Sequence, residues 1–218
     1  MTSPQPKHPP KPAPSPELAA RHGFVASMTK EEINDLPLRR YEGPIHLVTD
    51  ASELAQALRE IRKEPVLGFD TETRAAFRKG QSYLPSLMQI GTTDAVYLIQ
   101  ISATGITKPL TTILADPERL KVGVGLDHEI VTLRKMADFE PAGFVELGPI
   151  ADKVGVEANG LRNLAACVLG IRISKQAKTS NWAKPQLTEE QIFYAATDAW
   201  VSREIHVRLM QALNGNAA

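Results

Sequence analysis

The chain has one cysteine, Cys167, in 218 residues, so it can form no intrachain disulfide, and a lone thiol fits a reducing cytoplasm. It has no apolar run of the length a bilayer requires, and no apolar segment of signal-peptide type near its start. Neither a membrane span nor export is therefore expected. Net charge is also missing: Lys plus Arg and Asp plus Glu both count 25. That balance argues against a globally basic nucleic-acid binder but leaves local basic patches open. No cluster of Cys and His with zinc-ligand spacing is present. What remains is a chain long enough to bury one sizeable core, read as a single domain with extensions.

Residues 1–27 begin with Pro4, Pro6, Pro9, Pro10, Pro12, Pro14 and Pro16 among Lys7, His8 and Lys11. So many prolines remove backbone donors and oppose helix formation, and little there can be buried, so a disordered, basic tail is expected. Residues 28–213 are expected to form the domain and 214–218 a flexible end. Thr29-Lys30-Glu31-Glu32 has capping-box spacing. Ile45–Val48 reads as a strand, followed by a helix opened by Asp50 with Leu54, Leu58 and Ile61 as its core stripe. Ser86–Gly91 and Ala95–Ile99, joined by Thr92-Thr93-Asp94, read as an antiparallel hairpin. A short helix over 110–114 and a buried strand over 120–126 follow. Helices are expected over Leu147 to Val154 and Leu161 to Leu169, the second stopped by Gly170. Thr188-Glu189-Glu190-Gln191 caps a last long helix.

Chemistry gathers around Val66-Leu67-Gly68-Phe69-Asp70-Thr71-Glu72. Strand side chains alternate, so Asp70 and Glu72 share one face and Thr71 looks the other way. Two carboxylates that close repel each other, and a fold tolerates them when a cation or shared proton offsets the charge. Alone, the pair reads first as an ordinary solvated strand end, and further carboxylates from elsewhere in the chain decide the matter. Glu129 opens a helix after Val-Gly-Val-Gly-Leu, a position that can project a carboxylate into a cleft but is also ordinary capping. Tyr194 and Asp198, four apart, share one helix face with Val201 and Ile205. An acid at the edge of an apolar stripe is costly without a partner. Arg74, Arg78, Lys79 and Tyr83 make a basic, aromatic loop beside the acidic pair, and Lys175, Lys178, Trp182 and Lys184 a second polar stretch. Both suit contact with a phosphate backbone, and both are also ordinary surface loops.

Taken together, Asp70-x-Glu72, the acid after Val-Gly-Val-Gly-Leu and Tyr194-Ala195-Ala196-Thr197-Asp198 resemble the three motifs of the DEDDy 3′–5′ exonucleases, the group of RNase D and the Werner-syndrome exonuclease domain. Gly160-Leu161-x-x-Leu164-Ala165, Leu169-Gly170, Ser174-Lys175 and Ser180-Asn181-Trp182 extend the likeness, with Asn181 where the family has Asp. The resemblance runs from about Ile45 to Leu209. It implies a ribonuclease-H-like α/β fold, a mixed five-stranded sheet flanked by helices. It implies hydrolysis of single-stranded RNA or DNA from the 3′ end to nucleoside 5′-monophosphates. Two Mg²⁺ or Mn²⁺ ions would be held by Asp70, Glu72, Glu129 and Asp198, with Tyr194 orienting the attacking water. Arg74, Tyr83, Lys175, Lys178 and Trp182 would contact the strand.

One departure stands out. The second motif ordinarily has Asp where this chain has Glu129, which keeps the charge but moves it out by a methylene; Asp127 is the other candidate, although the register favours Glu129. The glutamate either still serves the metal site, through water, or weakens it. The competing reading is therefore a nucleic-acid-binding module of the same fold with a decayed site, and, further off, a metal-dependent nucleotide phosphatase.

Overall fold

The computed structural model describes residues 15–75, 80–158 and 160–215. Chain order begins with α1 (Pro16–Arg21), α2 (Lys30–Asp35), β1 (Ile45–Val48) and α3 (Ala51–Ile61). The central strands β2 (Val66–Thr73), β3 (Pro85–Gly91) and β4 (Val96–Ile99) follow, then α4 (Ile101–Thr104) and α5 (Lys108–Leu114). β5 (Leu120–Gly123), α6 (Leu126–Arg134), β6 (Phe144–Glu146) and α7 (Leu147–Lys153) lead to α8 (Leu161–Leu164), a wider π-type turn at Ala165–Leu169 and the long α9 (Glu189–Gly215).

Local signals explain most of these elements. Thr29 and Glu32 exchange hydrogen bonds as a capping box on α2, and Asp50 accepts the Ser52 and Glu53 amides at the start of α3. Thr188 and Gln191 form the same reciprocal pair at the start of α9. Thr92 accepts and donates across the turn to Ala95, closing the hairpin of β3 on β4.

The sheet has the order β1-β4-β3-β2-β5-β6, with β1, β4 and β2, β5, β6 paired in parallel and β3 antiparallel to both its neighbours. It is therefore six-stranded rather than five-stranded. β6 is three half-buried residues beside β5, too short to show an alternating pattern in sequence. The tail expectation is corrected as well. Ser15 caps α1, Pro16 occupies its first turn, and Ala19 is fully buried among α7 and the residues around Val154. The run of prolines ends at Pro16, and Leu18 to Ala20 supply apolar surface that can be buried. Residues 1–14 lie outside the described residues, as do Arg78 and Lys79. α9 continues to Gly215, past the expected boundary at 213. The helix expected over Leu161 to Leu169 widens after Leu164 and ends on Gly170 at φ 65°. Among the described residues no helix is long and apolar enough to cross a membrane.

Alternation along β2 divides the core. Leu67 and Phe69 face α3, α5 and α6 with Met88, Ile90 and Ile99. Val66, Gly68, Asp70 and Glu72 lie on the opposite face, which α9 covers. Gly68 and Gly91 pair directly across β2 and β3, and the carbonyl of Ala199 sits on that spot. A Cβ on Gly68 would lie 1.8 Å from the Ala199 oxygen and one on Gly91 2.9 Å from it. The missing side chains let α9 approach the strands closely.

Gly68→Ala is expected to destabilise the fold by about 3 kcal/mol, because backbone, unlike a side-chain tip, cannot step aside. Gly148→Ala, where a Cβ meets nothing within 4 Å, should change stability by less than about 0.5 kcal/mol. Chemical denaturation of both variants checks this; equal midpoints would show that α9 can shift at no cost.

Candidate active site

β2 carries Asp70 and Glu72 out of the core toward its C-terminal end, and the Thr71 amide donates to Asp70 Oδ1 at 2.9 Å. The register with β3 slips between Glu72 and Thr73, so a bulge bends the strand at the second carboxylate. From α9, Asp198 (6 % exposed) is set against them, with Tyr194 one turn earlier on the same face hydrogen-bonded to it. One carboxylate oxygen from each of Asp70, Glu72 and Asp198 lies within 4.8 Å of the others.

Glu129 arrives from the other side of the sheet. α6 starts at Gly125, in the left-handed region at φ 77°, and the Gly125 and Leu126 amides donate to the Glu146 carboxylate at 2.9 and 3.0 Å. That anchor fixes the first turn, where Asp127 is exposed and Glu129 half-buried. Glu129 Oε2 accepts a hydrogen bond from the Thr71 hydroxyl, the side chain facing away from Asp70 and Glu72. Glu129 lines the carboxylate cavity and Asp127 does not. The cavity, about 570 Å³, is also lined by His128, Arg162, Ser174, Lys175, Lys178 and Ser202.

Electrostatics mark the cluster as strained. Burial first, then its neighbours Asp70, Asp198 and Glu129, push the Glu72 carboxyl up to about 10 against a pull from Lys178. Burial and Asp70 raise Glu129 to about 8. Asp70 and Asp198 are both shifted upward, chiefly by burial, with Lys178 lowering each. Burial and the carboxylates around it raise the Tyr194 hydroxyl far above its ordinary range, so it stays protonated. Among the described residues none of the four carboxylates forms an ion pair. An all-oxygen, crowded and uncompensated donor set fits a hard divalent cation.

The expected strand contacts divide. Lys175 and Lys178 are exposed at the cavity, and Lys178 is the one whose charge reaches the carboxylates. Arg74 lies 5.1 Å from the Tyr83 ring centroid, the two paired outside the cavity lining. Trp182 does not meet solvent: it is 0 % exposed, its ring centroid 5.9 Å from that of Tyr194. It cannot contact a strand as expected, because the loop folds its indole under α9 as a support for Tyr194. The sequence reading missed Gln89, which pairs with Asp70 in the register, is fully buried, and has both amide atoms unpartnered among the described residues. Its signal was a lone amide in the apolar run Leu87-Met88-Gln89-Ile90. Glu146, the anchor of α6, and Thr71 were missed too.

Comparison with known proteins bears on what such a site does. A family model described as 3′-5′ exonuclease matches residues 45–214. Ribonuclease D of Gluconacetobacter diazotrophicus is 30 % identical over 171 residues, 77 % of this chain and 42 % of the relative. The bifunctional 3′-5′ exonuclease/ATP-dependent helicase WRN of Mus musculus is 29 % identical over 195 residues, 84 % of this chain and 14 % of the relative. The chain thus spans under half the length of these relatives. Among solved structures, the EXO domain of Aedes aegypti Nibbler superposes with a TM-score of 0.73 at 23 % identity, covering 83 % of this chain and 94 % of that one, a likeness of fold.

The raised carboxylates give a pH dependence of definite sign. Unfolded, Glu72 and Glu129 ionise near 4.5; folded and without cation they ionise near 10 and 8. Between those values the folded state holds more protons, so their contribution to stability falls as pH rises. In EDTA, Glu72→Gln is therefore expected to be more stable than the parent by an amount growing from pH 5 to 9, reaching at least about 2 kcal/mol. Paired thermal melts across that range check it; a difference constant with pH would mean that Glu72 is not held protonated.

Proposed function

The chain belongs to the 3′–5′ exonuclease family, and from that premise we propose that it hydrolyses the terminal phosphodiester bond at the 3′ end of a single-stranded nucleic acid, releasing nucleoside 5′-monophosphates. The observation that carries this reading is the convergence of Asp70, Glu72 and Asp198, from strand and helix far apart in sequence, to within 4.8 Å.

Asp70, Glu72 and Asp198 would hold two divalent cations, Mg²⁺ or Mn²⁺, and Glu129 would serve the second through a water held between it and the cavity. When bound, such a pair supplies a water of lowered pKa and offsets the charge that builds on the phosphoryl oxygens. Tyr194, protonated throughout the working pH range, is not a base: its proton goes to Asp198, and its hydroxyl oxygen would accept from the attacking water and orient it. Trp182 fixes the phenol ring from beneath. Lys178 faces the same charge as the carboxylates and draws the scissile phosphate toward them, with Lys175 on the adjoining backbone. Arg74 and Tyr83 act as a pair further along the strand.

The direct test is a gel time course with 5′-labelled single-stranded RNA and DNA in Mg²⁺, Mn²⁺ or EDTA. The expected result is a metal-dependent ladder shortening from the 3′ end, lost by at least about 10²-fold in Asp70→Asn and Asp198→Ala with the fold retained by circular dichroism. An uncut band from folded protein under every condition would turn the reading to a binding module without catalysis. Glu129→Asp shortens the side chain away from Thr71 and is expected to lower kcat/KM about tenfold, as is Thr71→Val, the double variant losing little more. Higher activity in Glu129→Asp would instead mean that the glutamate impairs the site.

A further inference from the structure

A second cavity, about 530 Å³, opens on the far side of Tyr194 and Asp198. The two cavities share Ser174, Tyr194 and Asp198 in their linings, so they open side by side at the carboxylates. One wall is the first turns of α9; the other is the segment around Arg39 and Arg40, between α2 and β1. The guanidinium of Arg40 lies over the Phe193 ring at 3.9 Å from its centroid.

This wall is fastened at both ends. The Arg39 amide donates to the Arg172 carbonyl at 2.9 Å, and the Arg172 amide donates to the Pro37 carbonyl at 3.0 Å. Past Arg40, the buried Tyr41 amide donates to the Thr197 hydroxyl at 3.0 Å, which itself donates to the Phe193 carbonyl at 2.6 Å. The Tyr41 ring packs on Trp200 at 5.9 Å between centroids. Arg40 is thus tied to the helix that carries Tyr194 and Asp198. Among the described residues neither Arg39 nor Arg40 has an ion-pair partner. Glu42, Glu189 and Glu190 line the same cavity, so its net charge does not attract a polyanion. Recognition there falls to the outer face of the exposed Arg40 guanidinium, backed by the phenyl ring on which it lies. Such a face stacks unpaired bases without regard to sequence.

Resting on the exonuclease reading, we propose that Arg40 and Phe193 form a stacking shelf for one base of the single-stranded substrate, a nucleotide subsite next to the one cleaved. The shelf selects unpaired ends, because a base held in a duplex cannot lie on it.

The test uses the full chain and single-stranded oligonucleotides with one abasic position at each of the last four nucleotides. With intact oligonucleotide, Arg40→Ala and Phe193→Leu are expected to raise KM about tenfold and leave kcat within about twofold. In the parent, an abasic site at one of the four positions should raise KM to the same extent, and at that position alone Phe193→Leu should add nothing further. Anisotropy of a labelled strand bound to Asp70→Asn should show the same tenfold weakening on adding either substitution. An active parent with unchanged KM in both variants, or additivity at all four positions, overturns the shelf. A parent that cleaves nothing refutes the exonuclease reading, while the anisotropy comparison still decides whether the shelf binds a base.

Discussion

Two side chains are missing from the centre of the sheet, and the site is built on their absence. Gly68 and Gly91 face each other across β2 and β3, and the backbone of α9 rests its Ala199 carbonyl between them. A helix ordinarily stands off a sheet by the thickness of a side-chain layer. Here Ala195, Ala196 and Ala199, all fully buried, let it settle lower. Asp198 precedes the seated residue, and Asp70 lies one same-face step beyond Gly68, so lowering the helix brings the two carboxylates together. Tyr194, one turn earlier, follows without further provision. Packing at two glycines therefore sets distances among groups that sequence separates by more than a hundred positions.

Such proximity is unfavourable in the protein alone. Burial holds Asp70, Glu72, Glu129 and Asp198 above their ordinary carboxylate range, neighbouring carboxylates add to it at Glu72, Glu129 and Asp198, and Lys178 offsets part of it at Asp70, Glu72 and Asp198. The fold supports that cost from elsewhere: the apolar clusters on both sheet faces contain no member of the acidic set. The loop bearing Lys178 is anchored in the same way, by the fully buried Trp182. A loop that is polar at its surface and pinned by one indole can present a cation repeatedly in one position, which a free loop cannot. Site and scaffold are thus divided spatially, with strain confined to the end of β2 and the facing positions on α6 and α9.

What could be read from sequence was whatever local chemistry dictates. Capping pairs at Thr29 and Thr188, the Asp50 cap, the hairpin at Thr92 and the four-residue spacing of Tyr194 and Asp198 all depend on neighbours in the chain, and all were legible. The resemblance to the exonuclease motifs supplied the way these pieces assemble. What escaped was decided by tertiary contact. β6 has three residues and takes its identity from pairing with β5. α1 exists because Ala19 finds a place to bury. Trp182 sits in a stretch of Ser, Asn and Lys that looks exposed, yet the indole turns inward. The bulge at Glu72 and the empty seat on Gly68 arise between strands and helix, and composition carries no trace of either.

Glu129 shows why the one departure from the motif follows from the geometry. Asp70, Glu72 and Asp198 occupy the α9 side of the sheet, whereas α6 packs on the other side, with Leu133 in the cluster of Phe69. A carboxylate on α6 must reach around the end of β2 to join the rest, and the strand residue it passes is Thr71, whose side chain points toward α6. The hydroxyl receives Glu129 at that edge and holds it in the cavity, half-buried, near enough that Asp70 raises its pKa. The extra methylene supplies reach, and Thr71 removes the freedom that a longer side chain would otherwise bring. A longer acid and a hydroxyl on the opposite face of the strand together place a carboxylate at the cavity's edge, so under the proposed function the glutamate is a fitted member of the cluster rather than a lesion in it.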